Sequence, residues 1–225
     1  MGEKTLIIAG ANEFLGPEGS EQQTAVHLAP KFLKAYELMG YTRVFPTQRE
    51  ADWLLEHSGE EFLPELFRPV EDEPIVEYYT YDGHTVGLMM FPMLPPEMQE
   101  APPYLLDAVI AAGREARGQV DVLIGISSWG KWGEERFLLH EDLPFDIILG
   151  GGAGPGSRCH PMDSGTLIWT RTFYKGRSLH VVQLLSWPEG SGNDNMVLDE
   201  NISCTIIPLY EEIPSFPPVS DLFPQ

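Results

Sequence analysis

The chain has 225 residues, 43% of them hydrophobic, which is enough for a single domain with a well-buried core. Its 34 acidic residues stand against 14 lysines and arginines, a formal net charge of −20. Nucleic acid and anionic membranes are bound through basic patches, so this balance argues against both, while it favours solubility and tolerates basic or cationic partners.

Taken in chain order, Thr5 to Ala9 is a short apolar run that predicts a strand buried on both faces. The opening MGEKTLIIAG enters that run with no secretory apolar core or cleavage site, and no later run approaches the roughly 20 residues that span a bilayer. A cytoplasmic location is expected on those grounds. Phe32, Leu33, Tyr36 and Met39 recur at helical spacing after Pro30, with Gly40 as the stop. Val44 and Phe45 suggest a second short strand. Thr47-Gln48-Arg49-Glu50 has the spacing of a capping box and predicts a helix to about His57.

Ile75 to Tyr81 and His84 to Phe91 flank Asp82-Gly83, which predicts a hairpin. Tyr104 to Arg117 reads as an amphipathic helix, Val120 to Ile126 as a buried strand, Glu134 to His140 as helical and Phe145 to Leu149 as a strand. Further strands are expected at 166–170, 179–185 and 202–207. The first half thus alternates strand and helix and the second is mostly strand, which implies a sheet-rich α/β or α+β domain. The proline-rich end, 213–225, is expected to run as an extended surface tail.

Two features draw attention to chemistry. The stretch IILGGGAGPGSRCH (147–160) leaves an apolar strand through a run of glycines. It is no phosphate-binding Walker loop, because no Gly-Lys-Ser/Thr closes it, and it lacks the dinucleotide fingerprint. It reads as a structural turn, with a nest of backbone N–H groups around an anion as the alternative. Cys159 beside His160 invites a thiolate–imidazolium reading, but neighbours in an extended chain point to opposite sides. Cys159 and Cys204 are the two cysteines, and their pairing stays open at this level. In the second feature, SSWGKWGEE, Trp129 and Trp132 flank Lys131 and could stack a flat ligand, anchor a partner or close the edge of a core.

Several stretches, in order, resemble the N-terminal metallophosphoesterase domain of the 5′-nucleotidase family. LMGYTRVFPTQREAD (38–52) is similar to its helix end, strand and Gly-Asn-His-Glu-Phe-Asp motif. YTYDGHTVGLMMF (79–91) resembles its hairpin. VDVLIGISSWG (120–130) resembles the strand ending in Leu-Ser-His-Leu-Gly. FDIILGGGAG (145–154) resembles Asp-Val-Ile-Leu-Gly-Gly-His-Ser-His, and TIIPLYEEIPSFPPV (205–219) the closing strand and its exit. The resemblance implies a four-layer α-β-β-α sandwich over 1–225 as a single domain.

The departures from the family pattern are chemical. Its hydrolysis uses two divalent ions held by carboxylate, imidazole and amide groups. The first motif, Asp-x-His, aligns with Asn12 and Phe14. The second, Gly-Asp, has no counterpart in GPEGSEQQTAVHLAPKFL. Asn-His-Glu becomes Gln48-Arg49-Glu50, Ser-His becomes Ser127-Ser128, and Gly-His-x-His becomes Gly151-Gly152-Ala153-Gly154. The expectation is therefore a non-catalytic relative with no cofactor and no metal. Its old cleft, lined by Asn12, Gln48, Arg49, Ser128, Trp129, Gly152 and Gly154, would serve an unknown protein partner or a small anion. Arg49 would either meet that anion or pair internally with Glu13, Glu50 or Asp52. The rival expectation is a hydrolase with an altered site built on Glu13, Glu50 and Asp52.

Overall fold

The computed structural model describes residues 5–15, 24–162, 165–173, 177–188, 196–210 and 213–223. The chain divides into two units, one formed by the first 70 residues together with the C-terminal 15, the other by Glu71–Tyr210.

In the first unit, β1 (Ile8–Ala9) pairs in parallel with β2 (Arg43–Val44). Helices α1 (Ala29–Leu38) and α2 (Gln48–Ser58) follow the sequence expectation within a residue or two. Pro30 sits in the first turn of α1, where its missing N–H costs nothing, and Gly40 takes the left-handed φ of +72° just past the end. The capping box of α2 forms as read: Thr47 accepts from the Glu50 N–H, and the Glu50 side chain accepts from the Thr47 N–H. Phe14, Leu33, Val44, Leu54 and Phe67 make the core of this unit.

The proline-rich end is not simply extended. It turns through the short helix α5 (Pro217–Ser220), with prolines in the first turn, and the Phe223 ring lies 5.8 Å from Phe32 of α1. Two phenylalanines in that segment give it apolar surface to bury, which the proline count conceals.

The second unit holds a six-stranded sheet in the order β3-β4-β5-β6-β8-β7. Its strands are β3 (Ile75–Tyr81), β4 (His84–Met90), β5 (Val122–Ser127), β6 (Ile147–Gly150), β7 (Ser157–Met162) and β8 (Leu167–Arg171). The inner strands β4, β5, β6 and β8 are parallel, and both edges are antiparallel. The β3–β4 hairpin turns at Asp82 and Gly83 with φ of +51° and +89°, both positive as its two-residue turn requires. Strand β7 escapes the sequence reading because SRCHPM is polar and contains Pro161. Edge strands and irregular pairings tolerate proline, and β7 is an edge strand with a register shift between Ser157 and His160.

Helices α3 (Pro103–Arg117) and α4 (Gly130–Phe137) bury one sheet face through Val109, Phe91, Trp129, Phe137, Phe145 and Trp169. Arg117 of α3 donates to the buried Asp146, which also accepts from the Leu123 N–H at 2.7 Å, joining the helix end to the start of the sheet. The opposite face meets the ribbon of β9 (Ser178–Leu184) and β10 (Ile202–Pro208). Trp169 reaches α4, whereas its neighbour Thr170 lies 2.7 Å from His180 Nδ1 on β9, so strand alternation places helices and ribbon on opposite faces. Cys159 of β7 and Cys204 of β10 form a disulfide that ties ribbon to sheet. The class is the mixed α/β one read from the sequence.

Candidate functional site

Strands β5, β6 and β8 end abreast, with Ser127 paired to Gly150 and Gly150 to Arg171. Sites in parallel α/β sheets form beyond such carboxyl ends. The glycine run emerges there, and its carbonyls turn inward: Gly151 O accepts from the Gly130 N–H at 3.1 Å and Ala153 O from the Lys131 N–H at 2.8 Å. The loop thus caps the N-terminus of α4, which explains why that helix begins at Gly130 and not at the expected Glu134. Gly152 (φ +74°) and Gly154 (φ +107°) are left-handed, and a Cβ on Gly152 would sit 2.4 Å from Ser128 O. This loop is built for close backbone approach.

Beneath it lies a buried ion pair that the sequence reading missed. Arg171 and Glu134 are each 1% exposed, and Arg171 Nη1 donates to Glu134 Oε2. Arg171 Nη2 also donates to Ala153 O at 3.0 Å and Gly152 O at 3.3 Å, and Nε to Pro155 O at 3.3 Å. Glu134 further accepts from Trp169 Nε1 at 3.0 Å and from the Gly151 N–H at 3.1 Å. Burial pushes the Glu134 carboxyl up, while Arg171 and the two N–H donors pull it back. The visible signals were an arginine ending the apolar run LIWTR and a glutamate in the first turns of a helix.

In the first unit, Glu50 is fully buried and plays a similar part. Its carboxylate accepts from the N–H groups of Asn12 at 3.0 Å, Phe14 at 2.7 Å and Leu15 at 3.1 Å, besides Thr47. One side chain therefore holds the 12–15 turn against the start of α2. Asn12 in that turn adopts φ +67°, a conformation its short polar side chain tolerates.

The remaining candidates fall as follows. Phe14 is a core residue, its ring 5.3 Å from Tyr36 and 5.6 Å from Phe32. Gln48 and Arg49 are exposed on α2, and Gln48 donates to Asp52 at 2.8 Å. Glu13 accepts from the Tyr36 hydroxyl at 3.2 Å. Ser128 is half-buried with its carbonyl against Gly152, so Ser128, Gly152 and Gly154 do come together in the second unit. Trp129 is a correction: only 3% exposed, it packs on Phe91 and Phe137 and donates from Nε1 to Pro92 O at 2.6 Å, so its ring closes the core and forms no ligand wall. Trp132 is the exposed member, with Lys131 Nζ 5.3 Å from its ring centre. The thiolate reading of Cys159 fails because that sulfur is in the disulfide. Residues 16–23, where the second family motif has no counterpart, lie outside the described residues.

No protein-family model matches the sequence, and no curated protein matches it. Solved structures do match. The calcineurin-like phosphoesterase YfkN from Bacillus subtilis aligns with a TM-score of 0.57 at 12% identity, over 96% of this chain and 81% of YfkN. The NAD nucleotidase NadN of Haemophilus influenzae aligns at 0.49 and 11% identity, over 78% of this chain and 37% of NadN, so the chain spans little over a third of that enzyme. GAP50, the anchor in the inner membrane complex of Plasmodium, aligns at 0.40 and 11% identity, over 77% of this chain and 73% of its own. The fold is metallophosphoesterase-like.

The 5′-nucleotidase family that the sequence resembles uses a dinuclear metal centre, and the residues aligned with its motifs do not fit one. Phe14 and the glycines at 152 and 154 offer no ligand atom from their side chains. The Glu50 carboxylate is taken up by backbone N–H groups. Among the described residues, no three His, Cys, Asp or Glu side chains converge to hold an ion. No helix among them is long and apolar enough to cross a membrane.

Proposed function

We propose that this chain is a non-catalytic metallophosphoesterase-like protein that acts by binding, as a subunit or partner of another molecule. The observation that carries this reading is where the buried carboxylates spend their lone pairs. Glu50 serves the 12–15 turn, and Glu134 serves Arg171, Trp169 and Gly151. A hydrolytic dinuclear centre needs such oxygens free to face cations. Asn12, Gln48 and Arg49 on the first unit, and Ser128, Gly152 and Gly154 on the second, are the proposed contact residues. With a net charge of −20 the partner is expected to be basic or cationic, unless a small anion is held locally beside Arg49; nucleic acid and membrane are not expected.

Sequence alone suggested the cytoplasm. The Cys159–Cys204 disulfide instead supports an oxidising compartment, since structural disulfides are rare in a reducing one.

The test is an assay of nucleotide monophosphates and p-nitrophenyl phosphate with manganese, zinc or magnesium added. Turnover is expected to stay at background. Metal-dependent turnover that Glu50→Gln abolished would replace this reading with that of a divergent hydrolase.

A further inference from the structure

We infer that Arg171 is the resident cation of the glycine loop: its guanidinium, in place of a bound ion, gathers the loop carbonyls and holds the loop closed over α4. The inference rests on the second unit alone and does not depend on whether the protein has an activity.

An ion pair with Glu134 would need only one edge of the guanidinium. Here every nitrogen is used: Nη1 on Glu134, Nη2 on Gly152 O and Ala153 O, and Nε on Pro155 O. Three carbonyls directed at one place repel one another unless a positive charge lies between them. Three carbonyls and a carboxylate are also the oxygen donors that a hard metal ion takes. A guanidinium differs in being planar, in presenting a fixed fork of donors, and in never losing its charge. The Glu134 carboxylate, for its part, is saturated by Arg171, Trp169 Nε1 and the Gly151 N–H. Glycine is needed beside this pair, because a Cβ on Gly150 would lie 2.1 Å from Glu134 Oε2 and 2.7 Å from Arg171 Cγ. The chain thus carries its own cation at the ends of β6 and β8, and the loop is closed constitutively. Neither a metal nor a chelator should change it.

Chemical rescue tests this. In Arg171→Ala, hydrogen exchange at the amides of Gly130 and Lys131, which donate to the loop carbonyls, and of Gly151, which donates to Glu134, should rise by about tenfold or more, as expected for a local opening. Millimolar methylguanidinium should restore protection, and methylammonium, with the same charge but no planar fork, should restore much less. Wild-type exchange should be unaffected by EDTA. Should Arg171→Ala not fold, Arg171→Lys carries the test, with faster exchange expected despite the retained charge. Unchanged loop exchange in the variant, rescue no better with methylguanidinium than with methylammonium, or a wild-type loop opened by EDTA would each overturn the inference.

Discussion

Glu50 and Glu134 are buried carboxylates whose work is to fix backbone, one at the 12–15 turn and one at the glycine loop. Removing either leaves buried donors with nothing to bond, which costs more than the bonds themselves contribute. Glu50→Ala strands the N–H groups of Asn12, Phe14 and Leu15 together, so a loss of about 3 kcal/mol is expected from urea unfolding midpoints. Glu50→Gln, which keeps one carbonyl oxygen, should lose less. A matched pair of glycine substitutions separates close approach from conformation. Gly40 has φ +72° with open space around it, so Gly40→Ala should cost about 1 kcal/mol for the left-handed backbone. Gly152→Ala adds a clash with Ser128 O to the same strain and should cost about 3 kcal/mol. Equal losses at the two positions would mean that Gly152 is needed only for its φ.

At the scale of elements, what the sequence disclosed depended on how local the determining contact was. The capping box of α2 and the Asp82-Gly83 hairpin are decided within four residues, and both formed as read. The start of α4 is decided by carbonyls some twenty residues away on the glycine loop, and the Arg171–Glu134 pair joins residues 37 apart. Neither has a signature in any short window. Strand β7 owes its existence to an edge position and a bulge, which polarity and Pro161 hide.

The β9–β10 ribbon offers a pH test. Burial holds the His180 pKa below the ordinary imidazole value, about 6.5, so the folded state favours the neutral ring. A depressed histidine pKa means that its share of stability is complete above that value. It is lost as pH falls through it toward the folded pKa, because the unfolded chain takes up the proton first. Stability measured between pH 7 and pH 5 should therefore fall more steeply in wild type than in His180→Gln. Comparing the two proteins cancels the general easing of acidic repulsion. Parallel profiles would show that His180 is not a source of acid sensitivity.

At the scale of the whole molecule, the fold was legible because the order of five weak stretches, rather than any single motif, carried the resemblance. At 12% identity to YfkN the likeness survives in architecture alone. The candidate contact residues were only partly legible. Strand ends and glycines located the loop, but only packing could tell that Trp129 faces the core and that Arg171 lies beneath the glycines. In the proposed reading, side chains of the chain do what metal ions do in a hydrolytic metallophosphoesterase. Elemental analysis of protein purified without chelators addresses that claim most directly. The expected result is manganese, zinc and iron well below one ion per chain, with a melting temperature that EDTA does not move. Two ions per chain, lost together with thermal stability on chelation, would contradict it.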